Sequence, residues 1–182
     1  MMDELNKYFE KISKRQIADV VKVVVFFVII HFSSIIYQSF DLVKNPKYIK
    51  NMEPAITEDS TYYGKHISNW KTLKYSDIVY YQHPYVAQKN RKNARRIGRI
   101  LGFPGDQIEF RQGKLYRNNQ KIEETYTQAR SSFNLDIASI IVPRYHVYIL
   151  EDKRVISSTS SGDSRFVGPI LGDFIEGIIT TK

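Results

Sequence analysis

The sequence contains no cysteine, a single tryptophan, nine glycines and six prolines among its 182 residues. Without thiols the chain cannot form a disulfide, a thiolate zinc site, an iron–sulfur cluster or a cysteine nucleophile. Because 13% of the residues are aromatic and glycine is scarce, collagen-like and disordered chains are excluded as well. The length fits one folded domain with a short additional segment, and it is too short for two full domains.

Charged side chains are missing from residues 23–40, a run that opens with eight consecutive apolar residues. As a helix, this run rises about 27 Å, close to the hydrocarbon thickness of a bilayer. A buried helix of a soluble protein rarely runs so long without a charged face, and a cleaved signal peptide needs a small-residue cleavage site that residues 34–39 do not offer. The sequence predicts an uncleaved signal anchor at 20–40, between a cytoplasmic segment at 1–19 and an extracellular domain at 41–182.

Basic residues flank this segment on both sides, four before it and three after it, and Lys22 adds to the N-terminal side. By the positive-inside rule, this distribution favours a single-pass, type II orientation with the N-terminus in the cytoplasm. Residues 41–182 carry +7 of the formal +8 charge. A domain of that charge is attracted to anionic lipid or wall polymer.

Beyond residue 40 the pattern changes to short β-branched and aromatic runs separated by turn residues. These runs predict strands at 77–82, 97–101, 107–110, 114–117, 120–122, 146–150 and 174–180. Pro104 and Gly105 suit the two central positions of a type II turn. No strongly amphipathic helix follows residue 40, so the fold class predicted is mostly β, with antiparallel sheets behind one N-terminal transmembrane helix.

A dense basic cluster invites a nucleic-acid interpretation, but no recognition helix, RNA-binding aromatic motif or zinc pattern accompanies it. A solvated hairpin loop that touches anionic lipid or wall polymer is the preferred interpretation. The four histidines lack metal-ligand spacing, so no metal is expected. No cofactor or nucleic-acid partner is expected either. The cluster consists of Lys89, Arg91, Lys92, Arg95, Arg96 and Arg99.

Four stretches follow the apolar segment in a fixed order, and together they carry a resemblance to a known family. In this order the chain resembles the type I signal peptidases of peptidase family S26, membrane-bound serine/lysine endopeptidases that remove signal peptides. It resembles most closely their catalytically inactive signal peptidase IA homologues in Gram-positive bacteria. The resemblance runs from the anchor to the C-terminus and implies the antiparallel sheets of those enzymes. The stretches are Asn51-Met52-Glu53-Pro54-Ala55-Ile56, residues 76–81, residues 99–106 and residues 161–168.

Both catalytic positions of the family are occupied by other residues here. The motif Ser-Met-x-Pro-Thr aligns on Met52 and Pro54, which puts the nucleophile position at Asn51. The lysine motif places the general base at Gly98. A carboxamide is no practical nucleophile and glycine has no side chain, so both positions are interpreted as vestigial. The chain is predicted not to be an enzyme but an inactive homologue of a serine endopeptidase.

The last motif of the family survives in part. Its Gly-Asp-Asn-Arg segment corresponds to residues 151–154, with Glu151 and Lys153 in place of the glycine and asparagine. The resemblance implies that the following serine binds the base and that an Asp–Arg pair braces the site. With no lysine to orient, we expect Asp163 and Arg165 to form a buried or half-buried ion pair that holds strand ends together. The structural remnants of the site are Met52, Pro54, Arg99, Gly102, Pro104, Gly105, Asp106, Ser161, Asp163, Arg165 and Gly168.

The resemblance also implies a place for a peptide. Substrate of the family lies as an added strand along the segment before the nucleophile, here Tyr48, Ile49 and Lys50. The leading hypothesis is a membrane-anchored, catalytically inactive homologue that retains binding of signal peptides, secreted preproteins or another partner. The alternatives are a weakly active signal peptidase with an unorthodox dyad and a cell-surface structural protein without a peptide groove.

Overall fold

The computed structural model describes residues 14–43, 50–57, 62–84, 95–127, 136–154 and 162–180. The chain divides into two compact units, residues 1–40 and residues 41–182.

The first unit is built on helix α1 (Lys14–Ser39). Within the described residues, Lys14–Ile36 is the one helix long and apolar enough, by length and composition, to cross a membrane. Its large side chains Phe26, Phe27 and Ile29 are all more than half exposed, which a core helix of a soluble protein would not allow. The prediction of an N-terminal apolar helix is confirmed.

The second unit consists of two β-sheets. The larger sheet has the strand order β1-β2-β11-β3-β4-β9-β10 and the smaller one β7-β6-β5-β8. Every strand pair from β2 to β11 is antiparallel, which confirms the predicted fold class. The strands are β1 (Phe40–Val43), β2 (Tyr62–His66), β3 (Ile78–Gln82), β4 (Arg95–Gly102), β5 (Gln107–Arg111), β6 (Lys114–Arg117), β7 (Gln120–Lys121), β8 (Ile137–Ile141), β9 (His146–Leu150), β10 (Ile170–Leu171) and β11 (Ile175–Ile179).

Short helical segments connect these strands. A four-residue helix, α2 (Ser164–Val167), precedes β10, and single 3₁₀ turns lie at Lys50–Met52, Trp70–Thr72 and Gly172–Phe174. Residue 163 caps α2, since the Asp163 carboxylate accepts a hydrogen bond from the Arg165 N–H at 3.0 Å. The loop before the helix is thereby fixed to its first turn.

Strand β4 is covered on both of its faces, because alternate side chains of β3, β4 and β9 pack into different parts of the core. One face contributes Ile97 to a cluster with Met52 and Tyr80, and the other contributes Ile100 to a cluster with Ile149. A third cluster joins the two sheets, and it includes Leu101, Tyr148 and Leu150 from the larger sheet and Ile108, Phe110 and Leu115 from the smaller one. Residue 98 therefore lies in a strand with no solvent-facing side.

The predicted turn after β4 is present. The Asp106 N–H donates to the Phe103 carbonyl at 2.9 Å, and Gly105 has φ 91°, the left-handed value that a type II turn requires. Asp106 is the anchor of the turn, because its carboxylate accepts hydrogen bonds from the Phe103 N–H at 2.8 Å and the Tyr75 hydroxyl at 2.9 Å. The Asn118 amide donates to the same carboxylate at 2.8 Å.

The basic cluster differs from the prediction of a solvated loop. Residues 89, 91 and 92 lie outside the described residues, but Arg95, Arg96 and Arg99 belong to β4, which begins two residues earlier than predicted. For these three arginines the prediction is wrong. Two of them are held in the sheet by carboxylates, since Arg95 binds Glu176 of β11 at 2.6 Å and Arg99 binds Asp152 at 2.6 Å.

Candidate active site

Asn51 lies in the 3₁₀ turn at Lys50–Met52, which the neighbouring side chain of Met52 fixes to the core. Met52 is fully buried and packs with Ile78, Tyr80 and Ile97. The Asn51 carbonyl accepts a hydrogen bond from the Lys153 N–H at 2.8 Å, and Asn51 itself is half-buried. These contacts hold Asn51 beside the segment 151–154.

Gly98 lies opposite Glu151 across the β4–β9 pair. The register joins Arg99 with Leu150 and Ile100 with Ile149, so continuing it by one residue sets Gly98 against Glu151. Directly opposed residues of an antiparallel pair project to the same face. Where the family carries its lysine on one strand, this chain carries a carboxyl on the first residue after the neighbouring strand β9.

The space at Gly98 is already filled. A Cβ atom on this residue would lie 2.5 Å from the Ile149 Cγ2 atom and 3.2 Å from the Leu150 carbonyl oxygen. The first distance is far below an ordinary carbon–carbon contact of about 3.5–4.0 Å, and the second is also tighter than usual. Any side chain at position 98 therefore requires Ile149 to move.

Glu151 is only 3% exposed and occupies the position that is glycine in the family motif. Its N–H donates to the Asp163 carboxylate at 3.1 Å. Burial, followed by the negative charge of Asp163, raises the pKa of the Glu151 carboxyl to about 7, while hydrogen bonds from the Asn51 side chain and the Gly162 N–H act in the opposite direction. The Glu151 carboxyl and the Asn51 amide are thus direct neighbours.

Asp163 and Arg165 form a buried ion pair. The Arg165 Nη2 atom lies 2.7 Å and its Nε atom 2.9 Å from the same carboxylate oxygen of Asp163, and their side chains are 1% and 0% exposed. Because Asp163 also accepts from the Glu151 N–H, the pair connects the end of β9 to α2. Ser164 adds a second link, since its hydroxyl accepts a hydrogen bond from the Ile149 N–H at 2.9 Å.

Arg99 makes the corresponding contacts on the other face of β4. Its guanidinium donates to both carboxylate oxygens of Asp152, at 2.9 and 2.6 Å, and to the Ser76 carbonyl at 2.9 Å. The ring of Tyr126 lies 4.0 Å from the guanidinium carbon. Burial raises the pKa of Asp152, and the charge of Arg99 opposes this rise. Arg99 is therefore directed away from the face that Gly98 and Glu151 share.

The structure brings together some of the predicted site residues and separates others. Asn51, Asp163 and Arg165 interact with Glu151, and Gly98 lies against Ile149 and Leu150, just before it in the sequence. The segment 102–106 forms the turn at the far end of β4, which begins about 13 Å from Gly98 along the strand. Gly168 terminates α2 with φ 77°. Pro54 is exposed. Tyr48, Ile49 and Ser161 lie outside the described residues, as does the side chain of Lys50.

Glu151 was the residue that the motif comparison missed as a candidate for chemistry. It was identified there only as a departure from the family's glycine. A usable signal does exist in the sequence, because the strands predicted at 97–101 and 146–150 bring residue 98 near residue 151, just past the second strand, once their register is known. The register itself cannot be obtained from the motifs.

Comparison with known proteins defines the class. The family model described as "Signal peptidase, peptidase S26" matches residues 17–181, so the chain belongs to this family. Signal peptidase IB of Staphylococcus aureus strain N315 is 25% identical over 151 residues, 73% of each chain. Signal peptidase I V of Bacillus subtilis is 27% identical over 157 residues, covering 76% of this chain and 87% of the relative. A crystal structure of a signal peptidase I from Enterococcus faecalis aligns with a TM-score of 0.46 and 24% identity, over 59% of this chain and 97% of that one.

These comparisons correct the prediction that the chain is not an enzyme. The family and the relatives are signal peptidases by name, and the described residues give no positive sign of inactivity. Asn51 and Gly98 rule out one pair of reacting groups, a serine hydroxyl with a lysine amine. The absence of that serine and that lysine says nothing about other reacting groups in the same place. The prediction failed because it treated the loss of this one pair as the loss of all activity.

Proposed function

We propose that the protein is a membrane-anchored signal peptidase homologue that binds the signal-peptide region of secreted preproteins. In this proposal residues 1–19 are cytoplasmic, residues 20–40 span the membrane and residues 41–182 lie on the outer side. The bound peptide extends along residues 48–50 and presents its scissile carbonyl to Asn51. The family match over residues 17–181 and the names of the relatives support this assignment.

The observation that carries the proposal is the meeting of distant motifs at one place. The Lys153 N–H binds the Asn51 carbonyl, and the Lys153 ammonium lies 3.5 Å from Glu53, a residue 100 positions earlier in the sequence. The Glu151 N–H binds Asp163 in turn. A cell-surface protein without a peptide site has no need for the first and last motifs of the family to be joined by these bonds.

The basic residues at the start of α1 support the proposed orientation, and its apolar span supports the proposed partner. The helix α1 is preceded by Lys7 and Lys11 and begins with Lys14 and Arg15, whereas the span that follows its first turns is apolar. Signal peptides are themselves apolar segments that remain in the bilayer up to their cleavage region. A protein anchored in the same bilayer meets that region at a high effective concentration, so modest intrinsic affinity is sufficient.

A photo-crosslinking experiment tests the binding. The full-length protein, reconstituted into liposomes, is irradiated with a preprotein that carries a benzophenone amino acid two residues before its cleavage site. We expect crosslinks that map to residues 48–52 by mass spectrometry and that unlabelled preprotein competes away.

Two matched variants sharpen this experiment. Asn51→Trp fills the proposed site and should reduce crosslinking at least tenfold, whereas Gln120→Trp, the same bulk on an exposed residue of β7, should leave it unchanged. Circular dichroism confirms that both variants are folded. Crosslinks that are spread over the surface, or that Asn51→Trp does not reduce, would contradict the proposal.

A further inference from the structure

We propose that Glu151 and Asn51 are the reacting pair of this site: the Glu151 carboxylate activates a water molecule, and the Asn51 side-chain amide stabilises the oxyanion formed on a peptide carbonyl. This inference rests on the proposed function, because the bound preprotein supplies that carbonyl. It assigns hydrolysis to a carboxyl–amide pair in place of the family's hydroxyl and amine.

The geometry supports the pair through the β4–β9 register. Glu151 directly follows Leu150, which pairs with Arg99, so the register continued by one residue sets Glu151 opposite the position of the missing base. The Asn51 side chain interacts with the Glu151 carboxyl and opposes the rise of its pKa. The Lys153 N–H donates to the Asn51 carbonyl at 2.8 Å, which fixes this turn beside the segment that carries Glu151. Since Asn51 is half-buried and Glu151 is buried, peptide and water approach from the Asn51 side.

The surroundings of Glu151 suit proton transfer near neutral pH. Asp163 adds a negative charge that Arg165 holds in place, the Gly162 N–H donates to the Glu151 carboxyl, and the buried Tyr81 lies close enough for Glu151 to raise its pKa. The pKa of Glu151, about 7, lets the same group accept a proton in one step and release it in the next.

The reaction balances without any further reagent. The Glu151 carboxylate removes a proton from water, and the oxygen of that water forms a bond to the scissile carbonyl carbon. The resulting oxyanion accepts a hydrogen bond from the Asn51 amide. The protonated Glu151 then transfers its proton to the leaving nitrogen, the carbon–nitrogen bond breaks, and a carboxylic acid and an amine are released.

Asn51 fits the role of a hydrogen-bond donor to the oxyanion and not that of a nucleophile. Its amide nitrogen shares its lone pair with its own carbonyl, but its two N–H groups are hydrogen-bond donors. One N–H can bind Glu151 while the other faces the substrate. Water must therefore be the nucleophile, and a base beside it is necessary.

The test measures preprotein cleavage by the full-length protein in liposomes between pH 5 and pH 9. The cleavage rate should rise with pH through about 7 and then level off, because the base must be ionised. Glu151→Gln keeps the shape of the side chain and should lower the rate at least 100-fold and abolish this pH dependence. Asn51→Ala should lower the rate about 100- to 1,000-fold.

Matched controls separate chemistry from folding. Glu109→Gln makes the same change at a half-buried glutamate of β5 and should leave the rate unchanged. Glu151→Asp keeps a carboxyl and should restore part of the activity lost in Glu151→Gln. Should Glu151→Gln not fold, the pH profile of the wild type and the loss in Asn51→Ala decide the question.

The outcomes distinguish this inference from the proposed function. Crosslinking at residues 48–52 without cleavage at any pH overturns the reacting pair and leaves peptide binding intact. Cleavage that persists unchanged in Glu151→Gln also overturns the pair. Absence of both crosslinking and cleavage refutes the proposed function together with the inference.

Discussion

Position 98 is bounded by the Ile149 side chain, 2.5 Å from where a Cβ atom would lie, and by the Leu150 carbonyl at 3.2 Å. We expect Gly98→Ala to destabilise the protein by about 1–3 kcal/mol, because a packed core resists added atoms. In an Ile149→Ala background the same change should cost markedly less, since its main obstacle is gone. Urea unfolding of the four proteins of this double-mutant cycle gives the coupling energy.

A coupling energy near zero would show that Ile149 is not the obstacle. The result also bears on any attempt to rebuild a serine/lysine site with Asn51→Ser and Gly98→Lys. The new lysine would have to displace Ile149 and would then meet the carboxyl of Glu151, the residue that follows β9. A salt bridge between them would hold the lysine in its charged form, which cannot act as a base.

The site shows what sequence motifs reveal and what they omit. Asn51, Asp163 and Arg165 could be placed from the family pattern, and the last two do form a buried pair. The role of Glu151 could not be found in this way, because a glutamate in a segment between strands resembles an ordinary surface charge. The pairing of β4 with β9 brings it toward Gly98, and the hydrogen bond from the Lys153 N–H to the Asn51 carbonyl brings it to Asn51.

At the scale of elements, the segment after β9 is held on both faces of β4. Asp152 binds Arg99 on one face, and Glu151 and Asp163 meet on the other. We expect Asp152→Asn to destabilise the protein by about 3–5 kcal/mol, because it leaves the Arg99 guanidinium buried without its counter-charge. Thermal or urea unfolding of the full-length protein measures the loss.

Glu123→Gln is the matched control. Glu123 also pairs with a basic residue, Lys121 at 2.5 Å, but that pair lies on the surface. Removing a solvated ion pair should leave stability nearly unchanged, because water screens the charges. Equal effects of the two substitutions would show that the Arg99–Asp152 contact does not hold the segment in place.

The strands illustrate when a pattern predicts an element. Those predicted at 107–110, 114–117 and 146–150 are present almost as expected, because each alternates apolar and polar residues or is rich in β-branched ones. Strand β2 was missed, since Tyr62–His66 turns only a glycine toward the interior and so has no apolar alternation. Strand β8 was missed as well, because most of its residues are exposed.

At the scale of the whole molecule, helix α1 is the segment that we expect to anchor the protein in a membrane. We expect Val25→Arg, at the middle of Lys14–Ile36, to shift the protein out of the membrane fraction, since an arginine at this depth costs about 2.5–3.5 kcal/mol. The ratio of membrane-bound to soluble protein should fall about 100-fold in a carbonate extraction. Val25→Leu should behave as the wild type, and retention of the arginine variant would argue against a membrane-spanning helix.

The order of strands in the larger sheet has a consequence for biosynthesis. Strand β11 follows every other described strand in the sequence, yet it lies between β2 and β3 and hydrogen-bonds to both. While the chain is still being made, β2 and β3 have no neighbour on that side and cannot close the sheet. The domain therefore waits for its final segment before it can fold, and until then its open strand edges are exposed to proteases and chaperones.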